Sequence, residues 1–454
     1  MGSRHELWIE AVDDEGRGRG LLDAEADDHV RTDVAVRGAQ PGDRVQMVVE
    51  RIFPARRLII GRAIQLLEPS PARRASACRH EWPTVCCPLD GWDISLQMDF
   101  KRGRILRALE DLGLGDLTPH VEDVVLPRQP WGRRQKIKLM AAGRAGLLRL
   151  GLYAPWSRVL VPGHACAYTR EELVTAVREL GRRLDASGIS PASDAAPGGL
   201  RAVLLRSFSE GVGCVLVLGD MPDDAFVAQM NALVDEGHLS SCAIRIEAAV
   251  SGSVVGGSIA HTYGAQEMTP LEGGPPTSVD AFCQADPGLA RWMYRFVAQY
   301  LAAGPAGKII DAYAGTGGFS RALLDAGRSE LLAIEKAEAN IPALRGLGIH
   351  AIAHSVEDAL SELRENEAYA GLVADPPKKG LGDVAASFAQ LRAARFALVS
   401  CAPDAMARDL SVLLQHDYEL ERIVPVDLFS GTTEVEAISL LRHKSVPAGE
   451  PAGD

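Results

Sequence analysis

The predicted fold depends above all on one stretch, Asp311-Ala312-Tyr313-Ala314-Gly315-Thr316-Gly317-Gly318-Phe319. A strand-length apolar run precedes it, and a helical pattern follows it. Glycines at such a turn let the backbone approach a ligand at a helix N-terminus. Glu335 stands at the end of the next predicted strand, where a carboxylate can accept ribose hydroxyls. The pattern indicates a nucleoside cofactor site around Gly315. Its spacing fits a dinucleotide or S-adenosylmethionine, and also a plain strand-to-helix turn.

Around this turn, apolar runs of strand length alternate with helical patterns. The predicted strands span 308–314, 331–335, 350–354, 369–375 and 396–401, and the predicted helices span 289–302 and 404–415. This alternation predicts parallel strands joined by crossover helices, hence an α/β, doubly wound, Rossmann-like sheet. Two further strands, predicted at 420–429 and 434–443, are expected to form an antiparallel pair on its edge.

The N-terminal region shows a different pattern. Its first 66 residues alternate short apolar runs with glycine and proline turns, which predicts a small β-barrel. Glu68-Pro69-Ser70-Pro71 gives this unit a stiff exit. We therefore predict a barrel at 1–67, a mixed α+β central domain at 68–270, the α/β domain at 271–443 and a disordered tail at 444–454.

The composition is that of a folded protein in water. The chain has 454 residues, of which 47% are hydrophobic and 24% charged. No apolar run approaches the roughly 18 residues that a membrane span needs, and the first residues lack a secretory signal pattern. These features predict a cytoplasmic protein with no membrane partner.

Charge is unevenly distributed along the chain. The net charge is −12, yet residues 51–150 carry 18 Lys and Arg against 10 Asp and Glu. A basic island of this kind is typical of a nucleic-acid surface, although chance clustering gives the same count. The candidate RNA-binding residues in it are Arg128, Trp131, Arg133, Arg134, Lys136 and Lys138. Such side chains can neutralise phosphates and stack on a base, but they can equally form a solvated strand face.

Two further strand ends carry reactive side chains. Asp375-Pro376-Pro377-Lys378 presents a carboxylate on a proline-stiffened loop, and Cys401 follows the next strand. Parallel strands end at the same edge of a sheet, so both are expected at the ligand-binding edge. A helix begins just after Cys401, and a helix N-terminus lowers the pKa of a thiol. The alternative for Cys401 is a buried cysteine packed as a small apolar residue.

Four motifs resemble those of one known family. They are Asp-x-Tyr-x-Gly-x-Gly-x-Phe from Asp311, Asp-Pro-Pro-Lys-x-Gly-Leu from Asp375, Ser-Cys-x-Pro-x-x-x-Ala-Arg-Asp-Leu from Ser400 and Asp-Leu-Phe-x-x-Thr-x-x-Val-Glu from Asp427. Together they resemble the RNA 5-methyluridine methyltransferases, which act on transfer or ribosomal RNA. Residues 282–286 resemble the Phe-x-Gln-x-Asn motif of that family, and the N-terminal barrel resembles its TRAM domain, an OB-like RNA-binding module.

The resemblance implies a role for each matching residue. Cys401 is the nucleophile and Glu436 the general base, while Gln284, Tyr313, Glu335 and Asp375 contact S-adenosylmethionine. Gly318 and Ser355 border the methionine and adenine ends of that ligand. The chemistry is reasonable, since addition of a thiolate to C6 of uracil makes C5 nucleophilic enough to accept a methyl group. A carboxylate must then remove the C5 proton to release the enzyme.

A second group of cysteines lies in the central region. Members of the family often hold a 4Fe-4S cluster, and Cys78, Cys87 and Cys166 fit three of its four ligand positions. The remaining position falls on Thr84, with Cys86 two residues later, so we expect the set Cys78, Cys86, Cys87 and Cys166. Zinc is the rival occupant, and free thiols are the plain alternative.

The sequence departs from the family at several positions. Lys378 replaces an arginine, Ala402 and Asp286 replace asparagines, and Glu434 replaces a histidine. The predicted function is nonetheless methylation of C5 of a uridine, with ribosomal RNA favoured over transfer RNA, by a monomeric enzyme. The alternatives are methylation of another nucleobase or a small aromatic acceptor, and a non-catalytic RNA-binding iron-sulfur protein.

Overall fold

Three large β-sheets and one short strand pair organise the described part of the chain in the computed structural model. The structure describes residues 2–23, 31–78, 86–153, 160–163, 166–193, 196–247, 257–363 and 368–446. Thr84 and the last eight residues of the predicted tail lie outside these ranges. None of the helices within them is long and apolar enough to cross a membrane.

The first sheet contains the N-terminal strands. They are β1 (Arg4–Trp8), β2 (Ala11–Val12), β3 (Gly18–Asp23), β4 (Arg31–Arg37), β5 (Arg44–Phe53) and β6 (Leu58–Glu68). Their order is β1-β5-β6-β4-β3-β2, so β1 and β2, adjacent in the chain, lie at opposite ends of it. Between them, the N–H of Ile9 donates to Asp43 and that of Glu10 to Arg19. The sheet thus curls until its two ends meet around a small apolar core that includes Val34, Val45 and Met47.

The central sheet has helices on one face. Its strands are β7 (Lys136–Arg144), β8 (Leu147–Tyr153), β9 (Leu160–Pro162), β10 (Leu200–Phe208), β11 (Gly211–Leu218), β12 (Ser241–Ile246) and β13 (Ser258–Gly264). Their order is β13-β12-β11-β10-β7-β8-β9. Helices α2 (Glu171–Ala186) and α3 (Asp224–Asp235) bury apolar side chains against the sheet in a shared core.

The third sheet is the predicted parallel one. It contains β16 (Lys308–Ala312), β17 (Leu331–Ile334), β18 (His350–Ile352), β19 (Tyr369–Ala374), β20 (Arg395–Ser400), β21 (Tyr418–Val426) and β22 (Glu436–His443), preceded by the short pair β14 (Glu267–Met268) and β15 (Thr277–Ser278). The order is β18-β17-β16-β19-β20-β22-β21, with β22 antiparallel to both of its neighbours. The predicted doubly wound sheet and its antiparallel edge are confirmed.

Helices cover both faces of this sheet. They are α4 (Pro287–Ala302), α5 (Gly318–Asp325), α6 (Ile341–Gly346), α7 (Val356–Glu362), α8 (Ala385–Gln390) and α9 (Pro403–Leu414). Helix α1 (Ile94–Asp111) joins them, because Ile105 and Leu109 are fully buried in the same core as α9. The backbone around Val121 and Val125 also bridges to β21. Residues 94–125 therefore pack on the α/β layer, close to the antiparallel edge.

Candidate active site

The glycine-rich turn follows β16 and adopts backbone conformations that few side chains permit. Tyr313, Gly315 and Gly317 have φ angles of 61°, 55° and 88°. A non-glycine residue in this region is uncommon and is often found at functional sites. Within the described residues, no atom beyond the chain neighbours lies within 4 Å of where a Cβ of Gly315 would be, so the turn faces open space. The N–H of Gly315 donates to Glu335 Oε2 at 2.8 Å. The turn and the predicted ribose-binding carboxylate are thus side by side.

Asp311 links this turn to α5 by hydrogen bonds. Its Oδ2 accepts hydrogen bonds from the N–H and the hydroxyl of Ser320, at 2.9 and 2.6 Å, in the first turn of α5. Burial raises the pKa of Asp311 to about 7, against the lowering effect of those bonds. Asp311 was not among the predicted site residues, although it opens the motif. Its position at the end of a predicted strand, where the motif begins, could have indicated a role at the site.

Two of the residues predicted to border the ligand also take part in local packing or helix capping. A Cβ at Gly318 would lie 2.5 Å from the Tyr294 ring, so this glycine permits close packing of α5 on α4. Ser355 is the N-cap of α7, and its hydroxyl accepts from the Asp358 N–H at 3.1 Å. Both positions border the ligand-binding edge, and their roles toward a ligand stay predictions.

The ends of β19, β20 and β22 bring together the predicted reactive groups. Ser400 pairs with Ala437 across the antiparallel β20–β22 ladder. Cys401 and Glu436 lie one residue beyond this pair, each on its own strand, so they are neighbours at the sheet edge. Asp375 follows β19, the next strand along, and accepts a hydrogen bond from the Gln284 amide at 3.2 Å.

The electrostatics at Cys401 differ from the sequence prediction. The thiol is half-buried, and its pKa is raised to about 11. Burial is the main cause, followed by the negative charges of Glu436 and Asp375, while Lys378 acts in the opposite direction. The prediction that the start of α9 leaves Cys401 with a lowered pKa was wrong, because desolvation and the carboxylates outweigh the helix end.

Glu436 is held in an apolar and acidic surrounding. It is 3% exposed, and among the described residues its Oε1 has no hydrogen-bond partner. Burial raises the pKa of Glu436 well above its ordinary value, and Asp375 and Glu434 raise it further. Glu434 itself pairs with the Lys378 ammonium at 3.0 Å. The carboxylate that Glu434 adds relative to the family pattern is therefore paired with the cation at position 378, whose positive charge the lysine keeps.

Four cysteine side chains converge beside Tyr168. The Cys87 thiol is hydrogen-bonded to those of Cys78, Cys86 and Cys166, and these bonds raise its pKa. The same network lowers the pKa of Cys166, with help from the nearby Arg134. Cys78 and Cys87 are buried. Cys87 contacts the other three thiols, and a group of four cysteines is a donor set that suits a metal or a cluster.

The candidate RNA-binding residues fall into two groups. Arg128 and Lys138 are exposed, and Trp131 is exposed on one side while it packs against Tyr168 at 4.9 Å between ring centres. Arg133 instead binds both oxygens of Asp286, the N-cap of α4. Burial lowers the pKa of Lys136, whose ammonium lies 5.9 Å from the ring centre of Phe282. Arg134 and Lys136 also line a cavity of about 130 Å³ next to Cys86 and Cys166.

Comparison with known proteins supports this description. No family model matches the chain. The chain is 25% identical over 456 residues to an RNA methyltransferase of Clostridium tetani, covering 97% of this chain and 96% of the relative. It is 28% identical over 470 residues to one of Geobacter sulfurreducens, covering 98% and 90%. A solved tRNA (uracil-54, C5)-methyltransferase of Pyrococcus abyssi, in complex with S-adenosyl-L-homocysteine, matches with a TM-score of 0.69 and 21% identity, over 96% of this chain and all of the other.

The C-terminal α/β layer therefore has the class I methyltransferase fold, as the sequence predicted. The predicted resemblance to RNA methyltransferases is confirmed, and it extends over nearly the whole chain.

Proposed function

We propose that this protein is an S-adenosylmethionine-dependent RNA methyltransferase that transfers a methyl group to C5 of a uridine. One observation carries the proposal, namely the register of β20 and β22 that makes Cys401 and Glu436 neighbours beside Asp375. A nucleophile and a base on adjacent strand ends are what addition to C6 and removal of the C5 proton require. The curated relatives named as RNA methyltransferases agree with an RNA substrate.

The ligand side of the site supports the same reaction. S-adenosylmethionine would supply an electrophilic methyl group on a sulfonium. Glu335 would accept the ribose hydroxyls, since each of its carboxylate oxygens keeps a lone pair beyond the one used by the Gly315 or Ala337 N–H. Gln284 and Asp375, joined by their hydrogen bond, would orient the methionine end.

The reactive residues would act in sequence. The Cys401 thiolate forms a bond to C6 of the uracil, and the electron pair released toward C5 takes the methyl group. Glu436, as the carboxylate, then removes the C5 proton, and the re-formed C5–C6 double bond expels the Cys401 thiolate. The apolar surrounding that raises the pKa of Glu436 makes its carboxylate a stronger base for this step. The target base must leave any stack to reach both groups.

The decisive experiment incubates the protein anaerobically with S-adenosylmethionine and either ribosomal or transfer RNA transcripts, followed by nucleoside mass spectrometry. Ribosomal RNA is the favoured substrate. We expect 5-methyluridine with the wild type and none with Cys401→Ala. Glu436→Gln should accumulate a covalent RNA adduct that survives a denaturing gel, because the C5 proton stays in place. Another methylated nucleoside, or no product from folded protein that binds the methyl donor, would refute the proposal.

We also propose that Cys78, Cys86, Cys87 and Cys166 hold a 4Fe-4S cluster. The hydrogen bonds of the Cys87 thiol to the other three support this ligand set. When bound, the cluster would supply a rigid cross-link between residues 78–87 and Cys166. Protein purified anaerobically should contain about four irons and four acid-labile sulfides per chain. One equivalent of zinc instead would assign the site to structural zinc.

A further inference from the structure

The segment from Asp427 to Val435, here called the base loop, joins β21 to β22 and leads directly into Glu436. We infer that Tyr168 and Gly431 are positioning residues for the reaction, because their contact sets where the base loop, and so the Glu436 carboxylate, lies. The inference rests on the proposed role of Glu436. It gives the part of the chain that carries the cysteines a role in positioning Glu436.

The contact at Gly431 is too close for any other residue. Gly431 is buried with φ +77°, a conformation that favours glycine. A Cβ placed there would overlap Cζ and the hydroxyl oxygen of Tyr168. The aromatic ring therefore lies directly on the backbone of the base loop. The neighbouring Leu89 N–H donates to the Gly431 carbonyl at 3.0 Å, which fixes the other side of the same peptide.

Tyr168 is itself firmly held by the cysteine site. Its side chain is 2% exposed and packs against Cys78 and Cys87. Its hydroxyl donates to Asp90 Oδ1 at 2.9 Å. Leu89, the second partner of Gly431, stands two residues after Cys87. Both groups that hold the middle of the base loop thus belong to the surroundings of the four thiols.

Helix α1 holds the base loop at two other points. The buried Lys101 ammonium pairs with Asp427 and donates to the Phe429 carbonyl at 3.1 Å. Arg104 donates to the Thr433 carbonyl at 2.6 Å. Because Lys101 holds the base loop at Asp427 and Phe429, we expect a displacement at Gly431 to pass in the other direction, through Thr433 toward Glu436. A shift of about 1 Å at a reacting group can reduce a rate on the order of 100-fold.

The test compares Gly431→Ala with Gly237→Ala in the full chain. Gly237 has φ +76°, nearly the same as Gly431, but no atom in the part of the chain that the structure describes contacts the place where its Cβ would be. Both variants therefore place an alanine at the same unfavourable φ angle, and only in Gly431→Ala does the added methyl group overlap the Tyr168 ring. Two readouts are needed, namely hydrogen-deuterium exchange of the peptide spanning 427–436 and the time course of the covalent RNA adduct.

We expect Gly431→Ala to exchange in this peptide about tenfold faster than Gly237→Ala, and to release the adduct on the order of 100-fold more slowly at an unchanged rate of its formation. Equal exchange in the two variants would overturn the inference. Faster exchange in Gly431→Ala with adduct release as in Gly237→Ala would also overturn it, since the loop would then move without affecting Glu436. Absence of 5-methyluridine from the wild-type reaction would instead be a failure of the proposed function, and the exchange data would still decide whether Tyr168 holds the loop.

Discussion

At the scale of single residues, the ionisation of Cys401 would govern the first step of the proposed reaction. The thiol has a pKa raised to about 11, so about one molecule in a thousand carries the thiolate at pH 8 in the ligand-free protein. Because the thiolate is the nucleophile, alkylation by iodoacetamide should accelerate about tenfold per pH unit from pH 7 to 10. Peptide mapping by mass spectrometry measures this rate at Cys401 separately from the other cysteines. A flat profile over this range would contradict the raised pKa.

The Lys378–Glu434 ion pair leads to a second prediction about single residues, on the alkylation rate of Cys401. Glu434 raises the pKa of Cys401 and Lys378 lowers it. Glu434→Gln should therefore increase the alkylation rate at pH 8, and Lys378→Met should decrease it. Glu419→Gln is the matched control, since Glu419 lies at the far end of β21 and pairs with Arg442. The explanation fails if both charge changes shift the rate in the same direction.

At the scale of secondary-structure elements, α1 is joined to the base loop by a buried ion pair. Lys101 and Asp427 are both fully buried, and Asp427 also accepts from the Ser430 hydroxyl at 2.7 Å. Lys101→Met would leave a buried carboxylate without its cation, which typically costs about 3–5 kcal/mol. We expect the variant to unfold at lower denaturant concentration, and Lys101→Met with Asp427→Asn to recover part of the loss. An unchanged midpoint for the single variant would show that the pair is not stabilising.

The same elements show what a sequence can and cannot reveal. The strands of the parallel sheet were predictable because each is a local apolar run followed by a turn, as at Asp311. Cys401 and Glu436 could be paired only through the family resemblance, since 34 residues separate them along the chain. The ion pair between Lys101 and Asp427 could not be predicted from the sequence, because the two residues lie 326 positions apart and only the folded chain brings them together. The pKa of Cys401 was mispredicted for the same reason, since burial in the folded chain and then carboxylates distant in sequence raise it.

At the scale of the whole molecule, the part of the basic island at β7 lies close to the third sheet. The amide of Gln135, at the start of β7, donates to the Gln284 carbonyl at 2.9 Å, and its N–H donates to Ala285 at the same distance. An RNA strand bound along the exposed face of β7 would therefore reach the ligand-binding edge of the third sheet. Lys138 lies on this face, and the exposed Arg128 lies just before the strand.

This arrangement predicts a salt-dependent affinity carried by Arg128 and Lys138. The double change Arg128→Ala with Lys138→Ala should weaken RNA binding uniformly across sequences, because phosphate contacts carry no base information. It should also reduce the slope of log affinity against log salt by about one for each lost contact. Filter binding at several salt concentrations measures both quantities. Arg178→Ala is the control, since Arg178 is exposed on α2, the helix that covers the opposite face of the sheet. Arg133→Ala should act differently, by removing the partner of Asp286 at the start of α4 and destabilising the fold. If the double variant kept the wild-type slope, the RNA would have to bind elsewhere on the molecule.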